Sequence, residues 1–286
     1  LATGAGPFLL PFVQKLPEDV IPIWRARDSL AIKRRLAGVR HLTILGGGIS
    51  GLEAAAYGRE AGIEVAVIEK APHVMAVQFG PAAAGALGQR LREQGVDLKT
   101  GRFVTDVAKS DGRLTVVLDD GEEIRSDLVL TTVGAVRNTA VFAQAGLRTE
   151  KGVIVDEYQR TSEPGIFACG DIAQRNHIRT ASIVLAAEQG RGAALNAMAT
   201  LTGGPVQAVA DRAIPLSFKH DQVEFHSAGV PAGQGLDERV LSDDGAGVYR
   251  SVVLEGDILR GVQMVGSREG FRRLADSLGK SYHDNP

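Results

Sequence analysis

Leu42-Thr43-Ile44-Leu45-Gly46-Gly47-Gly48-Ile49-Ser50-Gly51 is the stretch on which the reading of this chain turns. Leu42 to Leu45 form an uncharged, largely apolar run that reads as a short buried strand. From Ile49 to about Ala61 the sequence reads as a helix. The glycines between them fall into Gly-x-Gly-x-x-Gly spacing, which is informative in this strand-to-helix context. Gly46 permits a tight turn, and Gly48 removes a Cβ that would collide with a pyrophosphate. Gly51 lets helix and strand pack closely. Ile49 and Ser50 open the helix, whose N-terminus offers free N–H groups and a positive dipole end to phosphates.

A second buried strand follows at Glu64-Val65-Ala66-Val67-Ile68. It runs into Glu69, 18 residues after Gly51 (69 − 51). A carboxylate there accepts hydrogen bonds from ribose hydroxyls and repels the extra phosphate of NADP, so the expected dinucleotide is NAD. Lys70 beside it pulls the other way. Alone, the glycine turn is compatible with no ligand at all, and Glu69 with a solvated strand end. Strand, helix and terminal acid together favour the dinucleotide.

Outward from this unit, residues 1–24 read as loop with short strands. Asp28 reads as a helix N-cap before an amphipathic run to about Leu36. Pro81–Gln94 reads as a helix. Residues 101–132 read as three or four short strands with turns at Asp111-Gly112 and Asp120-Gly121. Beyond Gly146, strands are expected at Val153-Ile154-Val155 and Ile166-Phe167-Ala168. A long helix should run from about Ser182 to Thr200, with Gly203-Gly204-Pro205 closing that unit. The tail, 211–286, reads as short strands ending in a helix near Arg268–Leu278. No internal repeat or low-complexity segment is visible.

Bulk properties exclude several classes. The 286 residues carry a formal charge of −2 and only 5% aromatics, which leaves no basic, base-stacking footprint for nucleic acid. No apolar run reaches the ~18 residues of a membrane span. Cys169 is the only cysteine, so no internal disulfide or Cys-x-x-Cys pair can form, and a reducing cytoplasm is the default setting. The six histidines show no metal-ligand spacing, and no metal is expected.

Several segments together resemble the pyridine-nucleotide-dependent flavoprotein reductases, the two-dinucleotide-domain superfamily that includes NADH-rubredoxin reductase and the flavin part of assimilatory nitrite reductase. Ala2-Thr3-Gly4 is similar to the family's turn out of its first FAD segment, and Arg25 to Leu30 to its connector. Gly46–Glu53 is similar to its NAD turn. Thr132-Val133-Gly134 and Asn138 are similar to its exit from the NAD domain. Thr161–Asp171, ending Phe167-Ala168-Cys169-Gly170-Asp171, is similar to the second FAD motif, and Gln189-Gly190 and Asn196 fit the helix after it. Ser227-Ala228-Gly229, Val248-Tyr249-Arg250 and Leu259–Gly266 resemble the small C-terminal domain of rubredoxin-reductase-like members. The family's first FAD segment, with its own glycine turn, would precede Ala2.

The resemblance implies an α/β architecture: two Rossmann-like dinucleotide-binding domains, the FAD one incomplete, and a small α+β C-terminal domain. The implied boundaries are 1–30 for the end of the first FAD segment and connector, and 31–145 for the NAD domain. Residues 146–208 are the second FAD segment and 209–286 the tail. It also implies residue roles. Asp171 and Gly170 would meet the ribityl or pyrophosphate part of FAD, where the alternative is an Asp capping the next turn. Ala2, Thr3, Gly4 and Gly134 would be close-approach turns, and in isolation each is an ordinary loop. The helix starting near Ser182 would aim its N-terminus at the flavin; the same sequence suits a plain buried helix. Glu53 would lie near the nicotinamide–flavin contact as the catalytic acid, although by itself it is an ordinary helix residue.

Cys169 is read as a buried small hydrophobe without a redox role, because no partner cysteine or C-terminal His–Glu pair accompanies it. His177 and Arg179 could face the flavin or sit on a surface loop. Arg272-Arg273 could dock an acidic electron carrier or form a solvated helix face.

The implied activity is hydride transfer from NADH to FAD, with electrons passing to an acceptor such as rubredoxin or ferredoxin and no dithiol step. Two alternatives stay open: a subunit of a split flavoenzyme whose partner completes the FAD site, and a non-catalytic NAD-binding module. A homodimer is compatible with either.

Overall fold

The computed structural model describes residues 1–175, 182–210, 214–220, 223–233, 235–245 and 247–283. Two compact units emerge. One joins Leu1–Phe8 to Gly134–Ile214, and the other joins Leu9–Val133 to Pro215–Pro286.

The larger unit is built on a five-stranded, wholly parallel sheet. Its strand order is Val20–Pro22, Leu128–Thr131, His41–Leu45, Glu64–Glu69, Val96–Thr100. Leu42, Ile44, Leu45, Val65, Val67, Leu128 and Val129 are all buried, as a parallel sheet covered on both faces demands. Helices Ile49–Glu60 and Pro81–Glu93 bury Leu52, Ala55, Leu87 and Leu91 against one face. On the other lies an antiparallel three-stranded sheet of Val104–Ser110, Arg113–Leu118 and Glu123–Ser126. It brings Val107, Leu114, Val116 and Leu118 onto Leu45, Ile68 and Val129. Asp111 and Gly112 both take positive φ at its first hairpin, the conformation such turns require.

The tail forms a five-stranded antiparallel sheet of order Leu216–His220, Val223–Gly229, Ile258–Val265, Tyr249–Glu255, Asp237–Asp243. Phe218, Phe225, Tyr249 and Val265 join the same core as Leu87 and Leu91, so tail and parallel sheet share one hydrophobic interior. Gln263, fully buried, accepts the Gly80 N–H at the start of helix Pro81–Glu93. Its amide also contacts Glu238 and Ser251. A polar group this deep is tolerated because it is hydrogen-bonded.

The smaller unit has little regular sheet: Gly6–Pro7 pairs with Ala135–Val136, and Val153–Ile154 with Ala173–Gln174. Its helix Ile183–Thr202 ends at Gly203, which takes the left-handed conformation of a C-terminal cap. Asn196 ties that helix down, donating to the Tyr158 and Gln207 carbonyls and accepting the Gln207 N–H. The helix is not a plainly buried one: Ile183 is 90% and Leu201 81% exposed.

Four expectations are corrected. Asp28 sits at the third helical position, not at the N-cap. The helix begins at Ala26, and the Asp28 carboxylate accepts the Arg25 N–H. Pro11–Lys15 is a helix where loop was expected. Val96–Thr100 is the fifth parallel strand, which its polar Asp97 and Lys99 disguised. Ile166-Phe167-Ala168 forms no strand beyond a single bridge from Arg160 to Phe167. Positive φ at Gln159 and Gly165 closes it into a tight loop.

Candidate dinucleotide-binding site

The strand His41–Leu45 delivers the chain to Gly46 at the carboxyl edge of the parallel sheet, where open α/β sheets bind ligands. Gly46 takes φ +109°, and a Cβ there would lie 2.7 Å from the Thr132 carbonyl and hydroxyl. Thr132 clamps the turn: its N–H donates to Leu45 at 2.7 Å, and its hydroxyl lies 3.1 Å from both the Leu45 and Gly46 carbonyls. Gly51 is the tightest point, since a Cβ would fall 2.0 Å from the Gly46 carbonyl oxygen.

Gly48 is the contrast. It has φ −82° and ψ −178°, which any residue adopts, and a Cβ there would meet nothing within 4 Å among the described residues. Nothing inside the fold requires glycine at this position. The open space lies at the start of helix Ile49–Glu60, where the first N–H groups have no intrahelical acceptor. Ile49 is half-buried and Ser50 exposed.

Glu69 reaches this turn from the end of the neighbouring strand. Its carboxylate accepts the Gly47 N–H at 2.6 Å and the Ala71 N–H at 2.7 Å, one on each oxygen. Two short charge-assisted bonds fix the carboxylate in place, and each oxygen keeps a lone pair for a further donor. The Lys70 ammonium lies 5.6 Å from the centre of the Phe103 ring, a cation–π placement.

Glu53 is half-buried four residues into the same helix. Burial pushes its carboxyl above the ordinary range, and no partner holds it among the described residues.

In the smaller unit, the segment Leu1–Gly4 runs beside the Gly170 turn: the Leu1 carbonyl accepts the Cys169 N–H at 2.9 Å. Gly170 takes φ +71°, and its N–H donates to the Gln189 side chain at 2.8 Å. Asp171 lies in a short 3₁₀ turn; its carbonyl accepts the Arg137 guanidinium, and its carboxylate has no partner among the described residues. Gly4 (φ +68°) and Gly134 (φ +106°) both stand where an added Cβ meets only open space. Ser182 precedes the first turn of helix Ile183–Thr202 and makes no side-chain cap. Cys169 is a free thiol, half-buried.

Structure thus gathers Gly46, Gly48, Ile49, Ser50, Gly51 and Glu69 at one place, with Glu53 further along the same helix. Within the other unit it bonds Leu1 to Phe167 and Cys169, next to Gly170, with Ala2, Thr3 and Gly4 following in the chain and no bond shown from them to Gly170 or Asp171. His177 and Arg179 lie outside the described residues. Sequence reasoning named Thr132 as part of the exit from the NAD domain through resemblance but gave it no clamping role, and it missed the brace made by Arg137. Neither carries a local signal, because each acts across more than 30 residues of chain. No group of three or more metal-ligating side chains, and no helix long and apolar enough to cross a membrane, occurs among the described residues.

A parallel sheet with a glycine turn, a helix N-terminus and a strand-end acid defines a dinucleotide-binding protein. Comparison with known proteins narrows the class. The chain belongs to the pyridine nucleotide-disulphide oxidoreductase family, whose sequence profile matches residues 1–190; members of this family are NAD(P)H-dependent flavoprotein oxidoreductases. It is 28% identical to the assimilatory nitrate reductase electron transfer subunit of Bacillus subtilis, over 98% of this chain and 36% of that protein. It is 36% identical to a rubredoxin-NAD(+) reductase of Pseudomonas putida, over 60% of this chain and 45% of that protein. Among solved structures, a ferredoxin reductase from Rhodopseudomonas palustris superposes with TM-score 0.84 at 29% identity, covering 99% of this chain and 70% of that one. The chain spans between about a third and a half of the length of the first curated relatives it matches.

Proposed function

We propose that this chain binds NADH at the Gly46–Gly51 turn and works with FAD to pass electrons to a small redox protein of the rubredoxin or ferredoxin kind. The observation that carries the reading is Gly48: a glycine with ordinary backbone angles and no neighbour to clash with, placed where a pyrophosphate would approach a helix N-terminus. When bound, the nicotinamide supplies a hydride and the flavin accepts it and releases electrons onward.

The residues present fit both groups. The first N–H groups of helix Ile49–Glu60 would hold the NADH pyrophosphate. The Glu69 carboxylate, anchored on Gly47 and Ala71, would accept the ribose hydroxyls and repel a 2′-phosphate, making NADH the preferred donor. In the smaller unit, the free carboxylate of Asp171 would hold the ribityl or pyrophosphate part of FAD. Gly4, Gly134 and Gly170 leave room for close approach of backbone, and the start of the helix after Ser182 would lie toward the flavin. Glu53, raised by burial, is suited to sitting near the nicotinamide as a carboxyl with no competing partner. Cys169 is the one cysteine of these 286 residues, so no dithiol within them carries the electrons.

The domain assignment belongs to the same proposal, with the boundaries of 1–30, 31–145, 146–208 and 209–286 moved to those of the two units, because strand Val20–Pro22 is part of the parallel sheet: Leu9–Val133 for NAD, Leu1–Phe8 with Gly134–Ile214 for FAD, and Pro215–Pro286 as the tail.

Anaerobic addition of NADH to the protein equilibrated with FAD tests the reading. Bleaching of protein-bound flavin absorbance by NADH, and much less by NADPH, is expected. Bound flavin that NADH fails to bleach would overturn the assignment of hydride transfer.

A further inference from the structure

On the tail sheet, away from the dinucleotide turn, a hollow of about 850 Å³ opens between the sheet and the segment that follows it. Its floor is apolar, made by Leu241, Leu259 and Leu274. Val252 and Leu254 pack there with Phe271 and Leu274. Side chains alternate along a strand, so Arg250 lies on the same, core-facing side as Val252.

A guanidinium at a core-facing position needs acceptors, because a buried donor left unmade is costly. Arg250 lacks them. Among the described residues its Nε is buried without a partner, and its one hydrogen bond is a long 3.5 Å contact from Nη1 to Glu269, whose side chain is 83% exposed. Arg273 also lines the hollow and has no acidic partner among the described residues. Glu269 is the one carboxylate of the lining. Two under-used guanidinium groups therefore stand over an apolar floor, in a hollow within the ordinary size range of small-molecule sites, roughly 300–1,000 Å³.

We propose that this hollow binds a small monocarboxylate with an apolar tail. The carboxylate takes the Arg250 and Arg273 guanidinium groups, and the tail covers Leu241, Leu259 and Leu274. A single negative charge answers the arginines without facing Glu269 as a dianion would, while Ser277, Ser281, Tyr282 and His283 complete the lining.

Calorimetric titration of the whole chain with octanoate tests this, with octanamide and inorganic phosphate as controls. Octanoate should bind saturably, with octanamide weaker by on the order of tenfold or more and phosphate weaker still. Arg273→Gln, on the exposed helix face, should weaken octanoate several-fold at an unchanged thermal midpoint, and Arg250→Met should remove binding. Should Arg250→Met fail to fold, Arg273→Gln still decides. Absence of saturable octanoate binding, equal affinity for octanamide, equal affinity for phosphate, or an unchanged affinity in Arg273→Gln would each overturn the proposal.

Discussion

Two glycine turns in this molecule differ in how they are held. The Gly46 turn is almost self-sufficient. Strand, glycines, helix and the Glu69 carboxylate all come from residues 41–71, and Thr132 is the main distant clamp. The Gly170 turn is assembled from afar. Leu1 meets Cys169, Arg137 braces Asp171, and Gln189 receives the Gly170 N–H, with no strand of more than two residues beside it. A turn whose parts are local can be read from a pattern; one whose parts are scattered can be read only through likeness to something known.

The largest effect that can break this comparison is Gly51→Ala. Its Cβ would lie 2.0 Å from a backbone oxygen that cannot move without opening the turn, so a loss of about 3 kcal/mol or more is expected, at the upper end of overpacking costs. Chemical denaturation measures it; a midpoint close to wild type would mean that the turn is far looser than described. Gly48→Ala should do the opposite: thermal stability unchanged, NADH affinity reduced by on the order of tenfold or more, as befits a Cβ that meets only the ligand. Equal loss of stability in both variants would erase the distinction between a packing glycine and a binding one.

Next in size, Glu69→Arg should move preference from NADH toward NADPH, read as the ratio of the two affinities. Asp171→Ala should leave the Gly46 turn untouched and lower flavin content at an unchanged NADH affinity, since its carboxylate holds nothing else among the described residues. Normal flavin occupancy would remove Asp171 from the site.

The smallest effect is a pH dependence of the larger unit. His226, buried between Ser217 and Glu224, has its imidazole pushed below the ordinary value of 6.5, by burial first, against the opposing pull of Glu224. The unfolded chain therefore takes up this proton before the folded one does. Stability from this group is complete above about pH 6.5 and falls as pH drops from there toward the folded value. Denaturation midpoints of wild type and His226→Gln across pH 5 to 7 should converge at the acid end; parallel curves would rule the group out as the cause.

Much of the fold was legible because the central parallel strands are largely apolar and short. The run from Glu64 to Glu69 could be read directly, and the Asp111-Gly112 turn announced its hairpin. Val96–Thr100 escaped because Asp97 and Lys99 break its apolar pattern on a strand at the sheet edge. Ile166–Ala168 misled for the converse reason: its composition suits a strand, but Gln159 and Gly165 bend the backbone that would have to pair with it. At the candidate site, Gly46, Gly48, Gly51 and Glu69 follow from spacing alone. Thr132 and Arg137 do not, because the geometry that recruits them exists only after the sheet has formed.

The central claim is that the space over Gly48 is shaped for two linked phosphates, with Glu69 placed for the adenosine sugar. Parallel calorimetric titrations of wild type and Gly48→Ala with NADH test it most directly. Saturable binding by wild type, weakened in the variant at equal thermal stability, is the predicted result. No saturable binding by the folded wild type, or identical binding by both, would contradict it.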